Sequence, residues 1–266
     1  MSIQTEPDAN AASKPNRALT AVFFYTLILV AAVIASIIAG IALAILLREE
    51  LDLSHIRNER NSIVEQRVEA PEESVDSTIT GSAPAPQQHV SAFDASLREI
   101  NPDYVFWISI DGTQVDYPVV RGQDNAKYLN LSFSGEANVF GALFMDYRCH
   151  GDNLPHIIIY GHNSRRGDLF GGLNLFLDEQ YLAEHPIITI TENDKKTHYE
   201  IFSARITNIN DPAYFLDFSE PGSYRAFLER CGAPENATQV ITLSTCVTSP
   251  NNNDRLIIQA AAVSYS

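Results

Sequence analysis

From Leu19 to Leu47 the chain is apolar almost throughout and carries no charge. A helix of about 20 such residues crosses the hydrocarbon core of a bilayer, so this run can span it with length left for tilt. The rival reading is a cleaved signal peptide, because Ala42-Leu43-Ala44 resembles a small-residue cleavage site. Signal peptides, however, carry an apolar stretch of only about 7–15 residues. The pattern predicts a polar tail over residues 1–18 and an uncleaved anchor over 19–47. Residues 48–69 are charged and helix-compatible, with Leu51, Ile56, Ile63 and Val68 at weak helical spacing. Pro71, Pro84 and Pro86 among several Ser and Thr mark a linker. Residues 48–88 therefore read as stalk and linker, and a folded domain is expected over 89–266.

Within that domain the period of the apolar positions changes repeatedly. Phe93, Leu97 and Ile100 recur at helical spacing and stop at Asn101-Pro102. Val105 to Ile110 and Val115 to Val120 read as strands around the turn signal Asp111-Gly112. Ala142 to Met145 and His156 to Tyr160 follow as strands, and Leu169 to Glu184 as one or two short helices. Ile187 to Thr191 and His198 to Asn208 pair around Glu192-Asn193-Asp194. Pro221 to Cys231 reads as a helix with proline near its first turn, where it is tolerated. Gln239 to Thr245 and Leu256 to Val263 complete about eight short strands. That content predicts a mainly β fold, an eight-stranded barrel with a few peripheral helices. Closure also removes exposed strand edges. A two-sheet sandwich is the alternative that periodicity leaves open.

The formal charge of −15 argues against a nucleic-acid partner, which needs a basic patch. Lys14 and Arg17 precede the apolar run while Arg48, Arg57 and Arg60 follow it, so flanking charge does not set the orientation. Three cysteines, Cys149, Cys231 and Cys246, are too few for a disulfide framework. A Cys149–Cys231 bridge would leave Cys246 as a free thiol. Asp146, Cys149, His150 and Asp152 cluster in sequence without any recognised metal-ligand spacing, and no glycine-rich phosphate loop occurs. No metal or cofactor is expected.

The chemistry concentrates at strand ends. Cys246 ends an apolar strand and opens the polar segment Ser249 to Asp254. His162 follows the strand Ile157-Ile158-Ile159-Tyr160 after a single glycine, and Arg255 begins the last strand. A thiol, an imidazole and a guanidinium at three strand ends suit acyl transfer. The imidazole would move protons for the thiol and the leaving amine. The guanidinium would stabilise the tetrahedral oxyanion with charge that persists at any working pH. Each residue also has an ordinary alternative: a buried cysteine as a small hydrophobe, a surface histidine, an arginine in a rim ion pair.

Tyr160-Gly161-His162, Thr242-Leu243-Ser244-Thr245-Cys246 and Arg255 resemble the sortases, membrane-anchored cysteine transpeptidases of Gram-positive bacteria. Val115 to Val120, Asp124-Asn125 with Tyr128-Leu129-Asn130, Phe144 to Arg148 and the helix before the last two strands are similar to class B. The resemblance covers about residues 90–263, with the pieces in order. It implies the eight-stranded sortase barrel with Cys246, His162 and Arg255 catalytic. It implies a groove at Asn125, Leu129, Tyr160 and Ser244, and, through the segment Asp211 to Phe218, at Tyr214 and Phe215. The expected substrate is a sorting-motif surface protein or pilin, cleaved typically at a Thr–Gly or Thr–Asn bond through a thioacyl enzyme. The expected acceptor is an amine of a peptidoglycan precursor or a pilin lysine. The implied location is the cell membrane, single-pass, with the N-terminus cytoplasmic and the catalytic domain extracellular. Val247 stands where this class often has an acidic residue, and the loop to Arg255 is short and asparagine-rich.

Two other readings compete. One is an extracellular cysteine endopeptidase in which water resolves the thioester. A caspase-like peptidase would share the order of His before Cys, but no Gln-Ala-Cys motif surrounds Cys246. The other is an inert membrane-tethered surface-binding domain, which gives Cys, His and Arg no reason to converge.

Overall fold

Eight strands alternate with short helical pieces in the order that the apolar pattern predicts, and they close on themselves. The structure, a computed structural model, describes residues 17–69, 90–151, 154–247 and 253–263. Most of the N-terminal tail, the 70–88 linker, Asp152 and most of the Ser249 to Asp254 segment lie outside the described residues. Cys246 is described as backbone only.

The strands are β1 (Tyr104–Ile110), β2 (Asp116–Val120), β3 (Leu143–Met145), β4 (His156–Tyr160), β5 (Ile187–Glu192), β6 (Lys195–Asn208), β7 (Ala237–Cys246) and β8 (Asp254–Val263). They form a closed barrel in the order β1-β2-β3-β4-β7-β8-β6-β5, so the sandwich is excluded. Two neighbouring pairs are parallel, β2 with β3 and β4 with β7; the others are antiparallel. Parallel neighbours cannot be joined by a hairpin. The connection from β4 to β7 accordingly carries two strands and several helical turns.

Turn chemistry matches the sequence. Gly112 (φ +78°) closes the β1–β2 hairpin, and Asn193 (φ 49°) with Asp194 (φ 62°) close β5–β6 in the left-handed region that Asn and Asp tolerate. The barrel interior is filled by Ile108, Val119, Leu143, Ile159, Leu243 and Ile258, among others. Strand β4 is buried at four consecutive positions, His156 to Ile159. Such a run fits a strand covered on both faces.

Helix α1 covers Arg17–Glu69, α2 covers Ala92–Ile100, α3 covers Glu179–Glu184 and α4 covers Ser223–Cys231. Ser91 caps α2 by accepting from the Asp94 amide at 3.1 Å. In α4, Phe227 and Leu228 pack on Val240 and Ala261. This helix begins two residues later than predicted, because Gly222 is left-handed (φ +81°) and leaves Pro221 ahead of the cap. The predicted helical stretch from Leu169 resolves into a 3-10 run, Gly171–Leu177, followed by α3.

The chain divides into two compact units, Met1–Glu50 and Leu51–Ser266. In the first, α1 exposes its apolar side chains over residues 21–49, and it is long and apolar enough to cross a membrane. In the second, residues 51–69 are not an isolated stalk. Leu53, Ile56 and Ile63 are buried, and Ile56 belongs to the barrel's apolar core. Leu51, part of the apolar spacing in the sequence, faces outward.

Ile159 has no exposed surface, and its truncation would leave a cavity. Ile159→Ala is expected to destabilise the barrel by about 2–5 kcal/mol. Urea denaturation should show this as a lower midpoint at unchanged slope.

Candidate active site

Three strand ends meet at one rim of the barrel. In the β7–β8 register, Cys246 lies directly opposite Arg255. Strand β4 runs parallel to β7 with Tyr160 opposite Ser244, and the Gly161 amide donates to the Ser244 carbonyl at 3.2 Å. The chain thus leaves β4 at His162 beside the last turn of β7. A Cβ on Gly161 would lie 2.4 Å from Leu143 Cδ2 and 2.6 Å from Phe170 Cδ2. The glycine before His162 is therefore required by packing.

A cavity of about 540 Å³ opens at this rim. His162, Arg255, Asn125, Leu129, Tyr160, Ser244 and Tyr214 all line it, so the structure brings together seven of the nine residues the sequence singled out. Cys246 follows Thr245, which also lines the cavity, and its backbone pairs with Arg255 across the ladder. Phe215 is the exception. Its ring packs against Phe218 at 5.3 Å and under the Arg230 guanidinium at 5.0 Å, in the apolar cluster beneath α4. Tyr214 ends a 3-10 turn on the cavity side, and the chain becomes extended at Phe215, whose ring lies in the other cluster.

Phe140, Ala142 and Phe144 give the cavity an apolar wall that the sequence reading did not name. Phe140 meets the His162 ring edge to face, with centroids 5.1 Å apart. Asp146, one of the clustered Asp, Cys and His residues in the sequence, is a hub of the structure. Its wholly buried carboxylate accepts a fork from Arg148 at 2.9 and 2.8 Å, the Tyr160 hydroxyl at 2.9 Å and the Asn125 amide at 3.1 Å. Burial alone would raise this carboxyl, but those donors together hold it below its usual range. Three cavity-lining side chains are thus oriented by one anion. The i, i+2 spacing of Asp146 and Arg148 was the available signal.

Cys149 and Cys231 are both free and buried. Burial pushes the Cys149 thiol up to about 11 and raises that of Cys231, so neither suits a nucleophile.

A second buried network holds the segment that carries Tyr214. His156 Nδ1 faces the Phe215 carbonyl at 2.9 Å, so Nδ1 bears the proton. Nε2 then accepts from the Thr242 hydroxyl at 2.9 Å, and Gln259 donates to that hydroxyl at 3.3 Å. Arg205 joins Gln259 to Asp211, each at 2.8 Å, and Asp211 caps the 3-10 turn Pro212–Tyr214. Held at both ends, this segment shares a hydrogen bond of 2.8 Å between Tyr214 Oη and Ser244 Oγ.

The comparisons with known proteins agree with this geometry. Residues 108–263 match the family model described as the Sortase domain. Sortase B of Staphylococcus aureus (strain NCTC 8325 / PS 47) is 33% identical over 187 residues, covering 66% of this chain and 77% of that protein. The solved Clostridium perfringens sortase B is 30% identical with a TM-score of 0.59, covering 64% of this chain and 100% of that one. A Staphylococcus aureus sortase B–substrate complex is 26% identical with a TM-score of 0.66, covering 83% and 100%. A closed barrel that gathers cysteine, histidine and arginine at one rim defines a cysteine transpeptidase of the sortase type. The chain belongs to the sortase family and is class B-like within it.

Burial pushes the His156 imidazole down to about 4 from an ordinary 6.5. Between those values the unfolded chain binds a proton that the folded chain refuses, so stability rises with pH across that window. Acidifying through it should cost roughly 3 kcal/mol. Asp146 and Asp211, held below 3.8, lose their contributions only at lower pH. Denaturation curves collected from pH 4 to 7 should flatten in His156→Gln; parallel curves for variant and parent would exclude His156 as the source.

Proposed function

We propose that Cys246 attacks the backbone carbonyl carbon of a sorting motif near the C-terminus of a surface protein or pilin. The observation that carries this reading is the strand register: Cys246 opposite Arg255, with His162 leaving the parallel neighbour β4 onto the same cavity. The thiolate adds to the carbonyl, and charge moves to oxygen. Arg255 stabilises that oxyanion, and its planar fork also orients the substrate. As the C–N bond breaks, His162 gives its proton to the leaving amine and the substrate's C-terminal tail departs. A thioester on Cys246 remains. An amine of a peptidoglycan precursor, or a pilin lysine, gives a proton to His162 and attacks the thioester, releasing the thiolate.

The cavity supports an extended peptide as substrate. Leu129, Phe140 and Phe144 give it apolar lining, and Asn125, Tyr160 and Ser244 add polar groups. The substrate complex of the Staphylococcus aureus relative supports the same class of ligand. We place the catalytic domain outside the cell, tethered through residues 19–47 with the N-terminus cytoplasmic. Holding enzyme and membrane-bound substrate on one surface raises their effective concentration.

Incubation with a library of sorting-motif peptides and an amine acceptor, read by mass spectrometry, tests the reaction. Amide-linked adducts are expected; free acids in the presence of saturating amine would instead indicate an endopeptidase. Cys246→Ala should abolish cleavage with the fold retained by circular dichroism. Arg255→Lys should lose most of the activity, on the order of 10²-fold, because a point charge does not replace the fork. Near-normal turnover in Arg255→Ala would remove Arg255 from the mechanism.

A further inference from the structure

His162 is gripped from two sides, and both grips lead back to helix α1. On one side stands the Phe140 ring, edge to face with the imidazole. Phe140 belongs to a short loop tied to Asp52. The Asn138 side-chain amide donates to the Asp52 carbonyl at 2.9 Å, and the Val139 amide to the Asp52 carboxylate at 3.3 Å. Asn138 in turn accepts from the Phe140 amide at 2.9 Å. On the other side, the Phe170 amide donates to the His162 carbonyl at 3.0 Å, and Asn163 bridges Leu169. These bonds close a loop over residues 163–169 directly after the histidine. Within that loop Asp168 has no exposed surface, and both its oxygens are taken by Arg57, from Nε at 2.8 Å and Nη2 at 2.6 Å.

The chemistry makes this attachment specific. A buried carboxylate needs its full set of donors, and a guanidinium fork supplies two in fixed geometry. The loop after His162 is therefore located by where Arg57 stands on the helix. Ile56 and Leu169 lie in the same apolar core, which fixes the helix against that loop. Glu59 adds a bond of 2.7 Å from the Ser134 amide, and Arg60 sits over the Tyr117 ring at 5.3 Å.

We propose that Asp52 and Arg57, on the helical segment that precedes the barrel in sequence, are positioning residues for the His162 imidazole. They act through Phe140 and Asp168 and touch no substrate. The proposal rests on the Cys246–His162 pairing proposed above. It makes residues 52–60 part of the catalytic apparatus, although they lie more than 100 positions before His162 in the sequence.

The test is the rate of iodoacetamide alkylation at Cys246, followed by peptide mass spectrometry against pH, on the full chain in detergent micelles. His162→Ala should shift the profile, because the imidazole no longer sets the thiolate fraction. Asp168→Asn and Asp52→Ala should shift it the same way by at least about threefold at neutral pH, since a small misplacement of a catalytic group is costly. Arg57→Lys should fall closer to the parent than Arg57→Gln. The two buried thiols report on folding: Cys149 and Cys231 should stay unlabelled. Should Asp168→Asn fail to fold, Asp52→Ala carries the comparison, because it removes a partly exposed side chain. Profiles of Asp168→Asn and Asp52→Ala that overlay the parent while His162→Ala departs would overturn the proposal. So would labelling of all three cysteines together, which would mean general loosening. An unshifted His162→Ala profile would instead remove the Cys–His pairing, and this proposal with it.

Discussion

The register between β7 and β8 is the constraint on which the rest of the molecule depends. It sets the backbone of Cys246 opposite Arg255, and the same ladder sets Leu243 opposite Ile258 and Ile241 opposite Ala260. All four of those partners are buried in the barrel. A one-residue slip would turn one strand's inward apolar set to the opposite face and bring its buried polar residues, Thr242 and Ser244 on β7 or Gln259 on β8, into the barrel core, so burial of the core and alignment of the site are a single requirement. The β4–β7 pairing extends the same logic to His162. Ile157 to Ile159 lie beside Ile241 to Leu243, which fixes where the chain exits β4.

Around this frame the polar groups that meet the cavity are held by buried charges and rings. Asp146 orients Asn125, Arg148 and Tyr160; the network from Arg205 to His156 fixes the segment bearing Tyr214. The helix before the barrel grips both flanks of His162. In each case a fully buried group has every partner it needs, which favours one arrangement over its alternatives. A site held this way presents its donors in place before substrate arrives, which is where electrostatic catalysis gains most.

Much of the frame was legible in the residues. His156 to Tyr160 reads as a strand because it is an unbroken apolar run with β-branched centres, and the structure reproduces its limits. Asp111-Gly112 and Asn193-Asp194 announce their turns because few other residues tolerate the left-handed region. The parallel pairings were not legible, since strand periodicity says nothing about neighbours. The docking of residues 51–69 was hidden for a related reason: its buried positions, Leu53, Ile56 and Ile63, are sparse, and its strongest attachment is an ion pair with a residue 111 positions away. Phe215 was misplaced because a resemblance carries over a segment but not the direction of each side chain. Asp146 and His156 were missed as organisers because their importance lies in partners that only the fold assembles. The catalytic candidates came from strand-end position together with family resemblance; spacing alone would not have separated Cys246 from a buried structural thiol.

The most direct measurement is acid quenching of the protein during turnover of a sorting-motif peptide, followed by mass spectrometry of its cysteine-containing fragments. The mechanism predicts an acyl mass on the fragment bearing Cys246, lost on addition of amine as ligated product appears. Turnover with no acyl mass on Cys246, or with the mass on Cys149 or Cys231, would contradict it.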